Sequence, residues 1–489
     1  MLAKNRNDLI ELCGSVLLCV LSACAVGPDF TPPDAPPVTH YTNGDDPTNT
    51  VSADGEAQHF SPGAKIDAAW WKLFKSQKLD AVMNEAITNN PGLDAAEANL
   101  RQSQDNLRSG YGVFFPEIDA DAGASRQKST PIKAGIDFPP SIFNLFTLSA
   151  TVSYTLDIFG GNRRMIEALG AEADMAQATE QATYLTLESN IANTVIAKAA
   201  YRAEIEATQQ LIDMQKEQVK LAEIQERAGT VPYSTVLSLR SQLASYEAKI
   251  PQLQQKLTQS DDLLATLTGH VPSEWKMPDI DLADLTLPND LPVSLPSDLV
   301  RQRPDILIAE ATAHTASANV GVATAAMFPD VTLNGSFGNN SITTNTLFTS
   351  NSNFWSMGAA ATMPVFDAGT LWFRREAATE NYRQVMDLYR QTVLAAFAQV
   401  ADTLRALEHD TATLRADEDA LASAQQALHL VQANYQAGLA TYLDVLNADS
   451  QYHQAKIAEL QTIAIRYQDT TALFAALGGG WWNATKEEK

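Results

Sequence analysis

Much of this chain is written twice. Pro91, Ala96, Glu97, Ala98, Asn106 and Phe115-Pro116 recur 213 residues on as Pro304, Ala309, Glu310, Ala311, Asn319 and Phe328-Pro329. Ala228-Gly229, Tyr233, Val236-Leu237 and Ser241-Gln242 recur at a spacing of 209, as Ala437-Gly438, Tyr442, Val445-Leu446 and Ser450-Gln451. So small a drift means two copies of one unit, too few for a solenoid, which needs at least about three stacked repeats. The copies are expected to be pseudo-symmetric halves of one structure.

What the halves contain is bounded first by the N-terminus. All three cysteines, Cys13, Cys19 and Cys24, fall at the start of the chain. Lys4 and Arg6 precede an apolar run, Leu12 to Leu21, too short to span a bilayer and suited to the core of a signal peptide. It ends in Leu21-Ser22-Ala23-Cys24, which looks like a bacterial lipobox, so Cys24 is the expected lipidation site and the new N-terminus. Cleavage leaves Cys24 as the single cysteine and excludes an intrachain disulfide. Ala25 is not the aspartate associated with inner-membrane retention, which points to the outer membrane. The net charge is −24, and Lys4, Arg6, Asp8 and Glu11 cancel, so the mature chain keeps it. Such a balance argues against nucleic acid, whose phosphates demand a basic footprint. After the leader no apolar run is long enough for a helical membrane span.

Two kinds of periodicity follow. Strand alternation sets Ile118, Ala120, Ala122 and Ala124 against Asp119, Asp121, Gly123 and Ser125, and Phe146, Leu148, Ala150, Val152, Tyr154 and Leu156 against hydroxyl residues and Asp157. The second half repeats it with Val331, Leu333, Gly335 and Phe337, then with Trp355, Met357, Ala359, Ala361, Met363 and Val365. The loops expected between them are 128–144 and 341–353. Strands of this length can cross a membrane when tilted. Behind each hairpin a long helix is predicted, over 162–227 and 370–436, each about 100 Å at about 1.5 Å per residue. In the second, Val393, Val400, Leu407, Leu414, Leu421, Leu428 and Tyr435 form an unbroken column at spacing seven, the mark of packed, supercoiled helices. Gly229 and Gly438 should stop these helices, and return helices are expected over 231–268, kinked by Pro251, and 441–477.

Four strands cannot close a membrane barrel, because open edges in lipid leave backbone groups unpaired. Eight strands give a filled barrel, so three chains with twelve are the smallest assembly with a lumen. The same three chains would set twelve helices around one axis.

The lipobox, the doubled hairpins, the helix end Tyr435-Gln436-Ala437-Gly438 and the following Tyr442-Leu443-Asp444-Val445-Leu446 resemble the TolC-like outer-membrane factors, in the lipoprotein branch that serves resistance-nodulation-division efflux pumps. The resemblance implies a mixed α and β membrane protein: a homotrimer with a 12-stranded transmembrane β-barrel continuous with a 12-helix periplasmic α-barrel. It implies a passive exit duct for drugs or other small toxic compounds, not an enzyme. Its implied partners are a periplasmic adaptor, an inner-membrane transporter and outer-membrane lipid. It divides the chain into a signal peptide (1–23), a lipidated tether (24–67), a first repeat (68–269, hairpin 118–157), a proline-rich linker (270–296), a second repeat (297–480, hairpin 330–366) and a tail (481–489). Asp444 matches an acid lining the family's constricted entrance, while Asn447 stands where some relatives carry a second acid. Thr441-x-x-Asp444 equally fits a helix-capping box, so Asp444 has two readings. Arg227, Gly229, Pro232, Tyr435 and Gly438 fall on the tips that would dock the adaptor.

The seven histidines are scattered without metal-ligand spacing, and no nucleophile–base pair can be argued. No cofactor is expected beyond the lipid on Cys24. An identically built duct for polypeptide secretion and a soluble coiled-coil scaffold remain the alternatives.

Overall fold

The computed structural model describes residues 25–53, 55, 57–129 and 140–483; Cys24, part of the first hairpin loop and the end of the tail lie outside them. The chain forms two compact units, each assembled from separate stretches.

In chain order the elements begin with β1 (His59–Pro62), α1 (Gln77–Asn89), α2 (Pro91–Gly110), β2 (Glu117–Ser129), β3 (Ser141–Leu156) and α3 (Gly161–Arg227). Then come α4 (Tyr233–Glu247), α5 (Lys249–Leu267), β4 (Asp290–Val293), α6 (Pro296–Gln302), α7 (Pro304–Ala325), β5 (Asp330–Ser341), β6 (Asn353–Thr362), α8 (Thr370–Gln436) and α9 (Tyr442–Ala476). Both long helices have 67 residues, within a residue of the sequence expectation at each end. Asn90 sits in extended backbone between α1 and α2, because the residue before Pro91 is steered out of the helical region. The first return helix is divided at Ala248, three residues ahead of Pro251, whereas α9 runs unbroken for 35 residues.

One unit holds the sheet. β2, β3, β5 and β6 form an antiparallel meander in that order, so β2 and β6 are its edges. The register builds one apolar face across all four strands, with rows such as Ala120–Ala150–Phe337–Trp355 and Ile118–Val152–Gly335–Met357. The opposite face carries Ser149, Thr151, Ser153, Asn334, Ser336 and Ser356, and the last two share a 2.7 Å hydroxyl contact. Much of the sheet is open among the described residues: every residue of β2 is exposed, as are Phe337, Trp355 and Met357. The strands run further into the first loop than alternation suggests, since Arg126–Ser129 pair with β3 although they are polar. β6 stops at Thr362, short of the expected 365, before Pro364, which has no N–H for a ladder.

The same unit contains residues 25–32, expected to be part of an extended tether. They are docked. The buried Arg164 guanidinium donates to Val26 O at 3.2 Å and Asp29 Oδ1 at 2.6 Å, and Phe30 stacks on His314 with ring centroids 4.5 Å apart.

The other unit contains a core built around Trp70, Phe74, Leu79, Met83 and Phe474, with Trp70 stacked on Phe474 at 5.3 Å. Val400, Leu404 and Leu407 of α8 belong to it, and the column at spacing seven is buried from Val393 through Leu414 and again at Leu428. The later tether and the linker are likewise packed. β1 pairs in parallel with β4, burying Phe60, Leu291 and Val293. Arg466, 2% exposed, donates to Gln58 Oε1 at 3.1 Å and Ala53 O at 2.9 Å, pinning this stretch to α9. Trp481 donates its indole N–H to Gln302 O at 2.9 Å, so it packs against the body. Among the described residues no helix is long and apolar enough to cross a membrane.

Candidate functional site

The residues singled out from the sequence meet at two helical turns of the second unit. α3 ends at Arg227, and Gly229 follows with φ +73°. Thr230 N–H then bonds Gln225 O at 2.9 Å and Gly229 N–H bonds Glu226 O at 2.8 Å, the paired bonds of a Schellman stop. α8 ends in the same way: Gly438 has φ +75°, Leu439 N–H bonds Asn434 O at 2.8 Å and Gly438 N–H bonds Tyr435 O at 3.0 Å. Left-handed backbone is open to glycine at little steric cost, which explains why both turns carry it.

The restarts differ. Pro232, in extended backbone, caps α4 without any side-chain hydrogen bond. Thr441 caps α9 through a complete capping box. Asp444 Oδ2 accepts from the Thr441 N–H at 2.8 Å and from its hydroxyl at 2.6 Å, while Asp444 N–H donates to Thr441 Oγ1 at 3.3 Å. These donors hold the Asp444 carboxyl below the usual range. Asp444 and Asn447 are both exposed, one helical turn apart.

Between the turns lies a bridge that pattern reading did not foresee. Tyr435 OH and the Gln225 amide exchange hydrogen bonds at 3.1 and 3.3 Å. The Tyr435 ring meets Tyr442 edge-on at 5.6 Å, and Tyr442 OH donates to Gln218 Oε1 at 2.6 Å. Burial and the nearby Asp449 carboxylate push the Tyr442 phenol up. The recurrence of Tyr233 as Tyr442 was the available signal, but periodicity says nothing about the partner of a hydroxyl. Around the bridge Tyr233, Leu237, Leu439 and Leu443 are exposed. Arg227 is exposed too and spends its Nε–H on its own helix, at Glu223 O. Among the described residues no group of three or more His, Cys, Asp or Glu side chains is placed to hold a metal ion.

A family model described as outer membrane efflux protein matches residues 82–270 and 295–479. The pyoverdine export outer membrane protein OpmQ of Pseudomonas aeruginosa is 31% identical over 420 residues, covering 84% of this chain and 87% of that one. The probable outer membrane lipoprotein SilC of Salmonella typhimurium is 26% identical over 418 residues, 85% of this chain and 88% of its own. Among solved structures, the outer membrane protein VceC of Vibrio cholerae superposes with a TM-score of 0.79 at 28% identity, over 85% of this chain and all of VceC.

Proposed function

The chain belongs to the outer membrane efflux protein family, and we propose that three copies of it form the passive exit duct of a tripartite efflux pump. The protein is at home in the outer membrane. The observation that carries the trimeric reading is the four-stranded sheet, with its apolar face exposed and both edges unpaired among the described residues. In lipid each unpaired backbone group is worth several kcal/mol, so the edges must find strands elsewhere. Three sheets joined edge to edge make a closed barrel of twelve strands, apolar outside and hydroxyl-lined within. The same operation brings twelve helices into a periplasmic α-barrel, and lipid on Cys24 anchors each chain.

In this reading the two tips, with Arg227, Gly229, Pro232, Tyr435 and Gly438 shaping their backbone, present exposed apolar side chains to a periplasmic adaptor. An inner-membrane transporter supplies the energy. Asp444, with Asn447 one turn on, lines the constricted mouth. A soluble scaffold is set aside by the exposed apolar sheet face. The names of the relatives, one a pyoverdine exporter, favour small-molecule cargo over polypeptides.

The test is a susceptibility panel of dyes, detergents, antibiotics and divalent metals on a strain lacking only this gene. Sensitisation reversed by the wild-type gene is the expected result. An unchanged panel, together with loss of a secreted polypeptide, would overturn the small-molecule reading and leave the trimeric duct standing.

A further inference from the structure

About two turns above the second tip, α9 buries an acid and an imidazole side by side. Asp449 is 1% and His453 5% exposed, and neither Asp449 Oδ1 nor His453 Nε2 has a hydrogen-bond partner among the described residues. A buried carboxylate demands a counter-charge. The neighbouring lysine on the helix, Lys456, is held by Glu459 at 2.6 Å.

The spacing of the two atoms decides what they suit. They lie 3.6 Å apart, beyond the roughly 2.7–3.2 Å of a hydrogen bond. Two donors about 2.1 Å from one tetrahedral ion stand about 3.4 Å from each other. At that spacing a protonated imidazole would form a direct ion pair, whereas a neutral imidazole beside the carboxylate leaves two lone pairs placed for a shared cation. His453, though not Asp449, also lines two cavities of about 150 and 330 Å³, which bring water and a way in to the imidazole; Lys249 lines the smaller and Lys456 the larger. On the facing helix, Thr208 Oγ1 lines the smaller cavity with His453, is 1% exposed and has no partner among the described residues. The equivalent positions of the first return helix, at the spacing of 209, are Arg240 and Ala244, so the pair belongs to one half alone.

We propose that Asp449 and His453 bind a borderline divalent cation of the Zn²⁺ class, with Thr208 and water completing its shell. An imidazole nitrogen with a carboxylate oxygen selects such an ion over Ca²⁺ or Mg²⁺, which prefer oxygen alone. With only two strong protein donors the site is exchangeable. When filled it ties α9 to α3 just above the tip.

The experiment uses the full-length protein in detergent, stripped with chelator and titrated with Zn²⁺, and with Co²⁺ as a spectroscopic stand-in. One site per chain with a tetrahedral Co²⁺ spectrum is expected. Asp449→Asn and His453→Gln should each weaken binding by more than about a hundredfold, beyond the roughly 10–100-fold cost of losing an outer-shell partner. His429→Gln, at an exposed position beside the larger cavity, should leave it unchanged. If a buried variant fails to fold, X-ray absorption on the Zn²⁺-loaded wild type decides: one imidazole in the first shell supports the site. Absence of imidazole, or equal binding by a folded double variant, overturns it.

Discussion

The two long helices match in length, at 67 residues, and in their glycine stops, yet they bury different chemistry at the same turn. The twenty-eighth residue of α3 is Glu188; the twenty-eighth of α8 is Phe397. Phe397 packs on the core and meets Tyr41 with ring centroids 5.6 Å apart. Glu188 is almost fully buried and accepts the Trp70 indole N–H at 3.0 Å. Helix length and packing period are therefore compatible with either solution, but only one makes stability depend on pH. Burial pushes the Glu188 carboxyl up to about 8, against an ordinary 4.5, and the Trp70 bond only partly offsets it.

The sign follows from proton counting. Between 4.5 and about 8 the folded chain holds a proton that the unfolded chain has released, so stability falls as pH rises through that window. Replacing Glu188 by Gln keeps an acceptor for Trp70 and removes the titration, making α3 behave like α8. A tenfold change in proton affinity between folded and unfolded chain is worth about 1.4 kcal/mol. The largest expected effect is therefore a Glu188→Gln variant that gains on the order of a few kcal/mol over wild type at pH 9. At pH 4 the two proteins should unfold together. Thermal unfolding at fixed protein concentration across that range reads the difference directly, and parallel curves at all pH values would show Glu188 to be solvated.

A smaller effect sharpens what the two tips share. Gly229 and Gly438 both sit at positive φ, and a Cβ on either would meet nothing within 4 Å. Alanine there is opposed by backbone strain alone, about 1–2 kcal/mol. Gly229→Ala and Gly438→Ala should lower the unfolding midpoint of the isolated protein equally. A marked inequality would break the equivalence and locate a contact at one tip only.

Sequence made these symmetric parts legible because each rests on one strong local rule. Proline excluded helix at Asn90, glycine ended α3 and α8 within a residue, and alternation placed the four strands. The parts that escaped rest on partners far along the chain. β1 and β4 are four-residue strands, each containing a proline, which local rules read as loop; they form because each finds the other. Residues 25–32 look like tether in composition, and they are held by Phe159, Arg164 and His314, all distant in sequence. At the site, Asp444 and the glycines were visible as motifs. The Tyr435–Gln225 and Tyr442–Gln218 bonds were not, since a glutamine on a helix announces no partner.

The least visible difference between the tips bears on the proposed entrance. Position 444 is Asp in the second tip, and its counterpart at the spacing of 209 is Thr235. The geometry already accounts for Asp444 as a cap, so a role for its charge has to be separated from a role for its oxygen. Thr441→Ala removes the capping hydroxyl and keeps the acid; it should lower stability by about 1 kcal/mol and leave ion preference intact. Asp444→Asn keeps an oxygen for the Thr441 N–H and removes the charge; it should barely change stability. If three symmetry-related carboxylates face a narrow axis, they attract cations as other acidic rings do, and Asp444→Asn should lower the cation preference seen in planar-bilayer recordings. Asn447 adds no second ring of charge, so the preference to be lost is modest. A cation preference that survives Asp444→Asn and Asp444→Ala alike, while Asp444→Ala destabilises the tip, would leave the acid as a helix cap and nothing more.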